Sequence, residues 1–168
     1  MKSINKITLM LVLAVAVFAS CKPDALQELG PERDLLASLQ GNWKLVKATQ
    51  VDEDAKTKGF PYQQLDITSL FPYTTFAFSL NTDANGPTTF TATPGTSPKI
   101  IKVTGGTWAV DNLKYPKNLI FTNGAVRDTV SLGGYPVGAA TSLKLKKDKR
   151  DFTTGKLLIS YTYEFNKQ

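Results

Sequence analysis

At 168 residues, with 42% hydrophobic and 20% charged residues, the chain has room for one folded domain plus a targeting segment, and its composition excludes a disordered polypeptide. The formal charge of +6 includes Lys2 and Lys6, which lie in a segment expected to be removed; without them 18 basic residues stand against 14 acidic ones, a modest surplus. There is no His and a single Cys, Cys21, which removes the commonest general base, the His-assisted Ser and Cys nucleophiles, the commonest zinc ligand and any internal disulfide.

Met1 to Lys6 is short and positive, and Ile7 to Ala19 is almost wholly apolar. That apolar run falls short of the ~20 residues a membrane-spanning helix needs. It reads as the core of a secretory signal peptide. Phe18-Ala19-Ser20-Cys21 then sets small residues directly before the only Cys, which resembles the bacterial lipobox. The resemblance implies cleavage before Cys21, a diacylglyceryl group on its thiol and acylation of the new amine. A thiol is the side chain best suited to alkylation by a lipid donor, and small residues admit the backbone to a protease site. Two or three acyl chains anchor firmly, since each buried CH₂ contributes about 0.8 kcal/mol. The expected division is residues 1–20 as signal peptide, 21–30 as lipidated tether and 31–168 as the folded domain. The expected place is the bacterial cell envelope, with the protein lipid-anchored to the outer membrane.

The tether from Lys22 is polar and broken by Pro23. Nine flexible residues put the domain about 15–18 Å from its anchor. Gly30 to Leu39 reads as a short helix, with Pro31 at its first position and Glu32 and Asp34 at its positive end. Leu35, Leu36 and Leu39 share its apolar face.

From residue 39 onward the signals are those of strands, with alternating or β-branched runs between Gly, Pro, Asn and Asp clusters. Eight strands are expected: Asn42 to Val51, Tyr73 to Leu80, Thr88 to Thr93, Lys99 to Val110, Asn118 to Thr122, Val126 to Leu132, Thr141 to Lys147 and Lys156 to Asn166. Gly105-Gly106 predicts a bulge or sharp bend in the fourth. The last is the clearest, with Leu157, Ile159, Tyr161, Tyr163 and Phe165 on one face. Short links favour an antiparallel meander, and eight such strands close into an up-and-down barrel without free edges. The exception is Asp52 to Pro72, long enough to expect structure or a task of its own, with Asp66 placed to cap a helical turn. The one dense basic cluster, Lys144, Lys146, Lys147, Lys149 and Arg150, is interrupted by Asp148 and reads as a solvated strand end. No nucleic-acid partner is expected, because a basic face with interleaved aromatics is lacking.

Leu39-Gln40-Gly41-Asn42-Trp43-Lys44-Leu45 carries a further signal. Gly41 and Trp43 resemble the Gly-x-Trp signature that opens the first strand of lipocalins. The wider stretch, with a short helix before it and a long first loop after it, is similar to the lipocalin-like lipoproteins of the Bacteroidetes, a family of unknown function. The likeness spans about residues 31 to 168. The Thr-Asp-Tyr motif of many lipocalins is missing, so the resemblance is to lipocalin-like barrels rather than to the core lipocalins. On physical grounds Trp43 is expected to plug the narrow end of the barrel and Gly41 to let another segment pass close. Trp108 is expected in the core.

In a meander the links after strands one, three, five and seven meet at the end away from Trp43. In lipocalins the long first loop covers that mouth. The resemblance therefore implies a cavity beneath Phe60, Tyr62, Leu70 and Phe71, walled by Phe76, Phe78, Phe90, Phe121, Tyr161 and Tyr163. Such a cavity suits an apolar or amphipathic small molecule; the competing reading is that these aromatics fill the barrel. The alternative function is an interaction protein that holds an envelope protein or a glycan through its rim loops. No catalytic constellation, metal site or cofactor is expected.

Overall fold

A computed structural model of the protein describes residues 34–134 and 141–168. The expected signal peptide, Cys21 and the tether lie outside the described residues, as do Pro31 and most of the link before the seventh expected strand. Residues 33–168 form one compact unit.

The described chain opens with helix α1, Leu35–Leu39. Its start is set by Asp34, whose carboxylate accepts hydrogen bonds from the backbone of Leu36 and Ala37 at 2.9 and 3.1 Å. Leu35 and Leu39 are buried and Leu36 packs against the core. Nine strands follow: β1 Gly41–Asp52, β2 Gln64–Asp66, β3 Ala77–Asp83, β4 Gly86–Thr93, β5 Gly105–Val110, β6 Asn118–Asn123, β7 Val126–Leu132, β8 Ser142–Arg150 and β9 Leu157–Lys167. All pairs are antiparallel, in the order β1-β3-β4-β5-β6-β7-β8-β9, and β9 returns to pair with β1. The result is the closed eight-stranded up-and-down barrel expected from the strand pattern. Its ninth strand, β2, is a short addition along the second half of β1, at Thr49–Val51, where β3 has already left.

Closure depends on β1 running the full length of β9, from Trp43 opposite Lys167 to Asp52 opposite Ile159. A bulge at Val46 interrupts this ladder. It turns Val46 and Lys47 outward together and brings Ala48 back into the core. Inward positions of the eight strands supply the core. Phe78 packs edge-on against Phe165 at 4.9 Å between ring centres, and Phe90 against Phe121 at 4.8 Å.

Two expected strands are shorter than the sequence pattern. Tyr73–Thr75 is a turn of 3₁₀ helix after Pro72, and the strand begins at Ala77. Residues 99–104 are not strand at all; only Gly105–Val110 pairs. The earlier part crosses the barrel end as an irregular segment, with Ile100, Ile101 and Val103 buried. Gly105-Gly106, where a bulge or bend is expected, instead pair in regular register with Thr91 and Phe90, and what the position demands is a close backbone approach. Gly106 has φ +133°, and a Cβ there would lie 2.1 Å from the carbonyl oxygen of Thr122. Within Asp52 to Pro72, residues Glu53–Thr57 form helix α2, capped by Asp52. Asp66 caps the expected turn further on, accepting from the Thr68 backbone at 2.9 Å.

Candidate functional site

The barrel has two unlike ends. At the α1 end, Trp43 is 1% exposed and donates its indole N–H to the Leu39 carbonyl at 2.9 Å. The Lys167 ammonium sits 5.4 Å over the same ring and also reaches the Ser38 carbonyl. Gly41, at φ +130°, makes room for it: a Cβ there would lie 2.5 Å from the Lys167 side chain. Trp108 is buried in the same half. A bulge at Asn81 takes that residue out of the β3–β4 ladder, and its carbonyl accepts the Trp108 indole N–H at 2.7 Å.

The opposite end is formed by the long β1–β3 connection, residues 94–104, the β6–β7 turn and the β8–β9 turn. Here the ten residues named for the mouth separate into two groups. Phe60, Tyr62, Leu70 and Phe71 stand exposed on the long loop, Tyr62 at 92%, and Leu65 beside them is exposed too. Phe76, Phe78, Phe90, Phe121 and Tyr163 are buried, and Tyr161 is half-buried against the core. One chain of rings joins the groups: Phe71 meets Tyr73 edge-on at 5.9 Å, Tyr73 lies 6.0 Å from Tyr163, and Tyr163 stacks on Tyr161 at 6.4 Å. Burial pushes the phenols of Tyr73 and Tyr163 above the usual tyrosine range. The strand pattern places Tyr73 at the start of a strand, which hides it as a site residue; it lies instead in a turn of 3₁₀ helix.

Strand β7 carries a buried charge. Asp128 points inward from β7 at 4% exposure. Its Oδ2 accepts the backbone N–H of Lys102 at 2.8 Å and the Lys147 ammonium at 3.0 Å, while the Lys102 ammonium is 4.0 Å from Oδ1. The carboxylate thus serves as a partner for the Lys102 backbone, which has none in the sheet, whereas the Thr104 carbonyl accepts the Ala92 N–H of β4 at 2.8 Å. Lys147 comes from the basic cluster. Lys144, Lys146 and Arg150 of that cluster also meet acids, at Glu164, Asp148 and Asp148.

Between the 94–104 segment and the β6–β7 turn is a half-open cavity of about 420 Å³. Phe76, Ile101, Val103 and Val126 form its apolar wall, and Lys99 and Lys102 its charged side. Of these only Phe76 had been named from the sequence. The others were assigned to a strand or passed over, and the signal that marks them is the pairing of β-branched residues with lysines between Pro98 and Gly105. Among the described residues no cluster of His, Cys, Asp and Glu is arranged to hold a metal ion.

The molecule is thus a closed antiparallel β-barrel with one sealed end and one mouth rich in exposed aromatics. The family described as Domain of unknown function (DUF5004) matches residues 31–166, and the chain belongs to it. No curated protein matches the chain.

Proposed function

We propose that this protein is a lipid-anchored envelope lipoprotein of the lipocalin-like kind that binds a small apolar or amphipathic molecule at the mouth of its barrel. The observation that carries the binding reading is the continuous run of rings from exposed Phe71 through Tyr73 to Tyr163 and Tyr161. Large apolar side chains on one loop are costly to leave in water, and a patch of them favours a site that is covered in use. The tyrosine hydroxyls would orient a ligand's polar end while the rings hold its apolar part. Anchoring rests on the lipobox-like Ala19-Ser20-Cys21. The chemistry required of the site is binding alone, and no covalent or proton-transfer step is assigned to it.

The test is native mass spectrometry of protein extracted gently from its own membranes. An adduct of a few hundred daltons is expected in the wild type and is expected to be lost from a Phe71→Ser/Tyr161→Ser variant. A bare mass in every preparation would overturn the reading. Anchoring is checked separately: Cys21→Ala is expected to leave the membrane fraction, and its retention there would count against lipidation.

A second reading is favoured by one further observation. Phe152, in the β8–β9 turn at the same end, is fully exposed, as Tyr62 nearly is. Two fully solvated aromatics on neighbouring rim loops suit a protein partner, since aromatics dominate interface energetics. Cross-linking in intact cells, with Phe152→Ser and Tyr62→Ser as controls, separates a rim-bound partner from a small ligand within the mouth.

A further inference from the structure

We propose that the cavity beneath residues 94–104 selects a small anionic amphiphile, with its acidic head (a carboxylate, sulfate or phosphate) on Lys99 and Lys102 and its apolar part against Phe76, Ile101, Val103 and Val126. This rests on the small-molecule reading of the mouth and deepens it by naming the charge of the ligand and the place of its head.

Three observations carry it. First, the cavity has a mixed lining: at about 420 Å³ it lies within the range of small-molecule sites, and it is lined by apolar residues together with two lysines. Second, no acidic side chain is among its described lining residues, and Lys99 has no ion-pair partner among the described residues. Third, the nearest carboxylate is already engaged. Asp128 holds the Lys147 ammonium at 3.0 Å and the Lys102 N–H at 2.8 Å, and the Lys102 ammonium, 4.0 Å away, is mostly exposed. The positive charge at the cavity rim is therefore not cancelled locally. A cationic amphiphile would bring like charge against Lys99 and Lys102, and a neutral one would leave both lysines solvated with no gain.

The local structure explains why the lysines stand there. In Lys99-Ile100-Ile101-Lys102-Val103 the apolar residues turn inward and the lysines outward, without a sheet partner to impose a two-residue period. Tethering of the Lys102 backbone to Asp128 holds the segment down. It keeps both ammonium groups on the rim above the apolar wall.

The test uses the full chain in lipid nanodiscs, with labelled Ile and Val methyl groups observed by NMR and empty nanodiscs as the reference for partitioning. The probes are octanoate, octanol and octylammonium. Octanoate is expected to shift the Ile101, Val103 and Val126 methyls, with octanol about tenfold weaker, as for the loss of a charge-assisted hydrogen bond, and octylammonium without effect. In Lys99→Gln/Lys102→Gln the preference for octanoate over octanol is expected to vanish. Val126→Trp, at a half-exposed position, is expected to fill the cavity and abolish the shifts without unfolding the barrel. If all three probes shift these methyls alike, or if the double variant keeps the preference, the inference is overturned while binding at the mouth stands. If only methyls near the tyrosines respond, such as Ile159, the inference again fails and the mouth reading survives. If no probe moves any methyl, both fall.

Discussion

Trp43 and Tyr62 are both large aromatics on the same barrel, and one is 1% exposed while the other is 92% exposed. Around Trp43 every polar demand is met locally, by the Leu39 carbonyl on its indole N–H and by Lys167 across its face. Around Tyr62 the loop presents Phe60, Leu65, Leu70 and Phe71 to solvent. The sealed end spends its aromatics on closing the fold, whereas the mouth keeps some of them available. The buried Trp43 and the exposed loop aromatics thus sit at opposite ends, and substitutions at the two ends should fail in different ways.

The largest effect is expected at the sealed end. Trp43→Ala removes a fully buried indole and its hydrogen bond, and a loss of about 3–5 kcal/mol is expected in denaturant unfolding. A smaller loss would mean that α1 and Lys167 close over the space. Next comes the mouth's buried charge. Asp128→Ala leaves the Lys147 ammonium and the Lys102 N–H without their acceptor, at an expected cost of about 2–3 kcal/mol. Local opening of residues 99–104 is its expected sign, read by hydrogen exchange. Unchanged protection at Lys102 would show that the carboxylate does not hold the segment.

Alkaline pH gives a third contrast. Burial raises the Tyr163 phenol above its ordinary value of 10 in the folded state. Its contribution to stability is therefore whole below pH 10 and declines above it, as the unfolded chain ionises first. Tyr163→Phe should flatten that decline in a stability profile from pH 9 to 11, and Trp43 variants should not. Acid acts on the mouth's outer edge. Asp54 is lowered to about 2 by hydrogen bonds from Lys156 and Lys58. The link it makes between α2 and the β8–β9 turn is present above pH 4 and is lost as pH falls toward 2. Faster exchange in α2, ahead of the strands, is the expected sign. Last, Tyr62→Ser is expected to change stability by less than about 0.5 kcal/mol, as for an exposed residue away from the core. An appreciable destabilisation would show that the loop folds down on the barrel in solution.

The sequence was most legible where side-chain alternation and sheet pairing agree. The strand beginning at Val126 spans Val126–Leu132 as expected, and Tyr161, Tyr163 and Phe165 of the last strand face the core, whereas Leu157 and Ile159 on the same expected face are only partly buried. It was least legible where a side chain replaces a strand as the backbone's partner. Ile100, Ile101 and Val103 have β-forming side chains, yet Lys102 bonds to Asp128, 26 residues further on. No local pattern announces that pairing. Tyr73–Thr75 misled for a related reason: Phe76 and Phe78 continue the alternation of a strand, while Pro72 sets a turn just before. Helix α2 had readable signals that were passed over, namely Asp52 as cap, Glu53 and Asp54 in the first turn and Lys56 in the last. Of the candidate site, the aromatics were legible as residue types, but their division into exposed and buried sets depends on the course of the long loop. The lysine-rimmed cavity was hidden by the same misreading that made residues 99–104 a strand.

The pairing of β1 with β9 has a consequence for how the barrel comes into being. Trp43 lies opposite Lys167, so the closing ladder joins segments more than a hundred residues apart. Contacts of such long range are slow to form, because the loop entropy between them must be met before any hydrogen bond rewards it. Until β9 arrives, β1 and β8 each present an unpaired edge, and the interior rings have no final wall. The chain therefore has a late, all-or-none closing step.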